Sequence, residues 1–133
     1  MNKDIATYNS AQSEAYRPIC ELLETTLNEN LQDAESKVWH GAPVWFLEGN
    51  PIVGYSIKKA GVQLMFWSGW SFDEPTFEPV GDVEKFKAAG VTYTVVGQVS
   101  VERIQQWLQK ARDIQWDYKN IVKNKGELHK LTV

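Results

Sequence analysis

The sequence predicts an α+β fold: a two-layer sandwich in which an antiparallel sheet carries the N- and C-terminal helices packed on one face. Three observations predict it. Apolar residues recur at three- and four-residue steps in two stretches, 19–31 and 101–114. Between them lie short runs rich in β-branched and aromatic residues, separated by Gly/Asn/Pro turns, which is the pattern of hairpins. The 133 residues, 43% hydrophobic and 23% charged, suit one domain over 1–133, with no repeat or linker dividing it. Strands clustered between two amphipathic helices make two layers the economical arrangement.

The first ten residues show no periodicity and are expected to form a loose lead-in. A helix follows, because Ile19, Leu22, Leu23, Leu27 and Leu31 line one stripe. Ser13 suits its N-cap, and Pro18 must then fall in the first turn or two, where the missing N–H costs nothing. Extended segments are expected at Val38–His40, Val44–Leu47, Ile52–Lys58 and Val62–Ser68. Turns at Gly41-Ala42-Pro43, Glu48-Gly49-Asn50-Pro51 and Lys59-Ala60-Gly61 separate them. Pro43 lacks a ladder donor and belongs at a strand start or on an edge.

Residues 69–82 form a loop rich in Gly, Pro and acids, 82–87 a helical turn or two, and 91–96 another strand. Ser100 caps a last helix in which Val101, Ile104, Trp107, Leu108, Ala111 and Ile114 share a face. On a straight helix Trp116 would lie about 200° round from Ile114. Either the helix breaks near Asp113 or Trp116 packs outside the main core. From Gly126 the tail is expected to fray.

Charge is unevenly spread. Residues 1–50 hold three basic groups against eight acidic ones, and residues 100–133 hold seven basic against four acidic. A net charge of −3 argues against nucleic-acid binding, which needs many cations in one place. No apolar run approaches the ~20 residues of a membrane span, and the polar start Met1-Asn2-Lys3-Asp4 is unlike a secretory signal. Cys20 is the single cysteine, as suits a reducing compartment. The expectation is a soluble cytoplasmic protein, monomer or homodimer.

Four segments together carry a family resemblance. They are Trp39-His40-Gly41-Ala42-Pro43, the hairpin ending Gly54-Tyr55, Phe66-Trp67-Ser68-Gly69, and Trp116-Asp117-Tyr118-Lys119-Asn120. In order and spacing, over about residues 14–126, the chain resembles the YdhG-like family of small domains of unknown function. The resemblance implies a frataxin-like α+β fold and a bacterial cytosolic setting. Some members are described as iron chaperones for iron–sulfur cluster or haem assembly. It thus implies weakly bound iron and an assembly protein as partner, and it transfers no ligand set residue by residue.

Taken by themselves, the residues hold no set of soft ligands for tight metal binding, since His40, His129 and Cys20 are scattered. Oxygen-only binding of a hard cation is left to Glu14, Glu21 and Glu24, which share a helix face with Arg17. The alternative is an ordinary solvated face. Cys20 borders an apolar stripe and reads as a small hydrophobe rather than a nucleophile. No acid–base or nucleophile constellation assembles, so an enzyme is not expected.

Six tryptophans are the unusual feature. Along the third full strand Val62, Leu64 and Phe66 point one way, and Gln63, Met65 and Trp67 the other. The second face, with Trp45, Met65, Trp67 and Trp70, is a candidate binding surface for a small molecule or a protein. Against that stands the expectation that Trp70, Phe72 and Phe77 fold back from the loop and cover it as a second small core.

Overall fold

The computed structural model describes residues 2–132. It comprises helices α1 (Lys3–Ser10), α2 (Tyr16–Asn30) and α3 (Val101–Asp113) and strands β1 (Glu35–Trp39), β2 (Ala42–Leu47), β3 (Asn50–Lys58), β4 (Gly61–Phe66), β5 (Glu78–Pro79) and β6 (Ala89–Tyr93). The six strands make one sheet in the order β1-β2-β3-β4-β6-β5, and every pairing is antiparallel. Ile5, Leu23, Leu27, Ile104 and Leu108 of the helices join Trp45, Val53, Tyr55, Leu64 and Phe66 of the sheet in one core. The expected two-layer α+β architecture is present.

The N-terminal segment differs from expectation. It is a helix, started by the Asn2 side chain, which accepts hydrogen bonds from the Asp4 and Ile5 amides at 2.9 and 3.1 Å. Ile5 is fully buried and Asn9 nearly so. Eight residues anchored by one apolar and one amide side chain leave no stripe to read. The next helix is regular from Tyr16, and Ser13 caps it from just before, its hydroxyl accepting from the Tyr16 amide at 3.3 Å and its carbonyl from the Arg17 amide at 2.8 Å. Its N-cap, Ala15, makes no side-chain bond, and Pro18 falls in the first turn as required.

The hairpins are tighter than the sequence suggested. His40-Gly41 and Glu48-Gly49 each have two consecutive positive φ angles, 51° and 82° in one and 51° and 81° in the other. Two left-handed residues make the turn whose twist matches the flanking strands. Asn50 and Pro51 therefore lie inside β3, and Pro43 is the second residue of an interior strand, opposite Val38. Residues 82–87 form the expected single turn, the Phe86 and Lys85 amides both donating to the Asp82 carbonyl, and it does not extend into a helix. The strand expected at 91–96 is β6, which spans Ala89–Tyr93, so Val95 and Val96 lie outside it and exposed.

Ser100 caps α3 as expected, its hydroxyl accepting from the Arg103 amide at 3.3 Å. The helix stops at Asp113, which resolves the position of Trp116. Beyond it the chain returns along the sheet end. Trp116 bridges to Lys130, and the Leu131 amide donates to the Gln115 carbonyl, so the tail is pinned rather than frayed. Asn50, at the start of β3, is buried and donates to the Gln115 side chain and the Trp116 carbonyl. Its own carbonyl oxygen accepts from the Lys119 amide at 3.0 Å.

Candidate functional site

The sheet has two unlike faces because its strands alternate. Val62, Leu64 and Phe66 are fully buried under the helices, while Gln63, Met65 and Trp67 are only partly buried on the other side. On that outer side the register places Gly54 of β3, Met65 of β4 and Gly90 of β6 in one row. A methionine between two glycines leaves a low floor. Both glycines are required by the backbone: a Cβ at Gly54 would sit 2.4 Å from the Pro43 carbonyl oxygen, and one at Gly90 only 1.9 Å from that of Leu64.

Aromatic rings wall this floor at one end. Trp39 closes β1 and lies 6.3 Å from Trp67, 5.4 Å from Phe46 and 4.3 Å from His40, centroid to centroid. His40 holds its ring there from the left-handed turn position. The next row, Ser56, Gln63 and Thr92, is polar. The result is a trough of about 210 Å³, lined among others by Trp39, His40, Met65, Trp67, Gln63 and Lys58.

Two of the four proposed surface residues lie elsewhere. Trp45 is on the helix side, opposite Val53, and is 1% exposed, with its indole N–H donating to Asn28 at 2.9 Å. Strand alternation would place it correctly, but the register irregularity after Trp45 obscures the count. Trp70 is 45% exposed on a 3₁₀ turn (Gly69–Phe72) and lines a separate depression with Asp73 and Phe77. The loop does not cover the outer face. Phe72 and Phe77 instead turn to the helix side, each 5.5 Å from Phe66, and Phe77 lies 4.8 Å from Trp107. Val80 alone of the apolar loop residues reaches the trough wall.

The acidic residues are not brought together. Glu14 precedes α2 and Glu21 lies on it, both exposed, whereas Glu24 is buried at 8% exposure. Asn9 of α1 donates to one Glu24 oxygen at 2.9 Å, and the other oxygen has no partner. Burial raises the Glu24 pKa above its ordinary value. Arg17 reaches back to the Gln12 carbonyl. Among the described residues, no three His, Cys, Asp or Glu side chains are placed to hold a metal ion. Cys20 is buried, and desolvation pushes its thiol up to about 11, so it is a poor nucleophile.

A second, polar cleft of about 650 Å³ was not visible in the sequence. It lies between the β2–β3 turn, α3 and the C-terminal segment. One ion pair crosses it, Arg112 gripping both oxygens of Asp33 at 2.7 and 3.1 Å, and the Lys119 ammonium donates to the Glu48 backbone carbonyl. Asp33 and Arg112 meet across the ends of α2 and α3, and Lys119 reaches Glu48 through the returning tail, which no local pattern announces.

In fold the chain is similar to the crystal structure of YdhG, a DUF1801-family protein from Bacillus subtilis. The TM-score is 0.60, with 12% identity over 92% of each chain. The chain carries the fold of a DUF1801-family protein. At that identity the likeness to YdhG is one of fold, and YdhG's family is itself described by a domain of unknown function. No protein-family model matches the chain, and no curated protein matches it by sequence. Among the described residues no helix is long and apolar enough to cross a membrane.

Proposed function

We propose that the protein is a non-enzymatic binding module of the YdhG-like family, whose site is the outer-face trough. The open aromatic wall of Trp39 and Trp67 beside the Gly54–Met65–Gly90 row carries this reading. Partly buried indoles beside a thioether supply large contact area at low entropic cost, the combination that binding surfaces favour. Membership of the family is supported by the order of the four sequence segments and by the fold shared with YdhG, and the frataxin-like description rests on the sequence resemblance alone. A cytoplasmic setting is supported by the single buried cysteine.

Iron handling for cluster or haem assembly has less support. Of the carboxylates assigned to it, Glu24 is buried and bonded to Asn9, whereas Glu14 and Glu21 are solvated. The residues do not form the oxygen cage a hard cation needs. A small-fragment screen of the isotope-labelled protein by NMR tests the proposal. The expected hits move the indole signals of Trp39 and Trp67 and the Met65 methyl. Hits confined to the polar cleft, or ferrous ions shifting the Glu14 and Glu21 signals at micromolar concentration, would overturn it.

A further inference from the structure

The trough has a charge character as well as a shape. Lys58 lines it at the polar end and His40 at the aromatic end, and no carboxylate of the described residues does. Lys37 adds a second ammonium beside the aromatic wall, 4.8 Å from the Phe46 ring. The nearest acids on this face stand outside. Glu35 lies two residues before Lys37, across from Phe46, and Glu78 lies directly opposite Gly90, next in the floor row, in a depression that shares Gln63 with the trough. The lining of this aromatic trough thus holds one ammonium, Lys58, and no carboxylate, in a chain of net charge −3.

We infer that the trough takes a small ligand with a planar apolar body and an anionic group, the anion directed toward Lys58. The inference rests on the reading of the trough as the binding site. A flat body suits the site because the glycines leave the Met65 side chain as its floor, with Trp67 and Trp39 rising beside it. Thioether and indole both favour aromatic partners. The polar row of Ser56 and Gln63 offers hydrogen bonds between the ring site and Lys58. A cationic ligand would also find indole faces attractive, but it would meet Lys58 with no carboxylate in the trough lining to offset it, whereas Lys37, outside the lining, has Glu35 beside it on the same strand face. Charge therefore selects the anion.

Three probes that share one ring system separate charge from shape: naphthoate, neutral naphthylmethanol and naphthylmethylammonium. Each is titrated into the labelled protein while the indole signals of Trp39 and Trp67 are followed. Naphthoate is expected to bind roughly three- to fivefold tighter than the alcohol, the scale of one partly solvated charge contact. The ammonium compound is expected to bind weakest, and added salt should narrow the spread. Lys58→Ala, at an exposed position, should leave the melting temperature unchanged and reduce naphthoate to the affinity of the alcohol. Equal binding of all three probes at the trough would overturn the anionic preference and leave the binding reading standing. Absence of any indole shift would overturn both. A dimer by light scattering, with this face shielded and naphthoate excluded, would also overturn the inference in favour of a second copy as occupant.

Discussion

Glu24 is the one buried charged side chain among the described residues, and its chemistry sets a measurable pH dependence. One oxygen is satisfied by Asn9, whose own oxygen accepts from the Tyr55 hydroxyl at 2.7 Å, and the other oxygen is bare. Its folded-state pKa lies above 4.5, so folding favours the protonated form. The stabilising contribution is complete below the unfolded value and is lost as pH rises through the folded one. Glu24→Gln keeps the Asn9 bond and removes the charge. It should stabilise the protein by about 1 kcal/mol at pH 8 and much less at pH 4. Urea unfolding at both pH values checks this, and an equal effect at each would sink it. Helical spacing put Glu24 on one face with Glu14 and Glu21, but Glu14 precedes α2 and Glu24 is buried. That burial comes from α1 docking over it, and α1 had too few apolar residues to be read.

Among the elements, the segment between β4 and β6 behaves differently at its two aromatic ends. Phe77 stacks on Phe66 at 18° between planes and meets Trp107 edge-on, while Trp70 stands in solvent. Phe77→Ala should cost about 3 kcal/mol through lost burial and the cavity left behind. Trp70→Ala should change stability by no more than about 0.5 kcal/mol. Thermal melts of the pair decide it; a costly Trp70→Ala would mean the loop packs otherwise. Gly90→Ala should be harmful too, by about 1–3 kcal/mol, because the new methyl collides with a backbone oxygen that no rotamer can move. Chemical denaturation of the folded variant measures that loss. The long helices and the Gly-punctuated hairpins were legible because period and turn chemistry are local. The face chosen by the loop was not, since Phe72 and Phe77 are equally apolar toward either side of the sheet. Only the gap beside Trp107 decides it.

For the molecule as a whole, buried phenols fix its behaviour in alkali. Desolvation pushes Tyr93 and Tyr118 up to about 12, and Tyr55 higher still, from an ordinary 10.0. These tyrosines ionise in the unfolded chain first. Their contribution to stability is complete below pH 10 and drains away as pH rises toward about 12. Tyrosinate absorbance followed against pH should therefore lag in the native protein and rise together with loss of the folded circular-dichroism signal. A smooth early titration of all five tyrosines with the fold intact would refute it. The charge asymmetry of the sequence also has a counterpart at this scale. Asp33 from the acidic front half is gripped by Arg112 of the basic end, so opposite halves meet at the cleft.

The clasp on Asn50 has a consequence in time. Its partners Gln115, Trp116 and Lys119 lie 65, 66 and 69 residues further along the chain. At synthesis rates of roughly 5–20 residues per second, the β2–β3 hairpin is complete for several seconds before anything arrives to hold its base. A ribosome paused anywhere before residue 115 leaves that amide solvated and the adjoining sheet end open. The hairpin base becomes dry only when residues 115–119 have been delivered, so the clasp on Asn50 closes late in synthesis although the hairpin itself is made early.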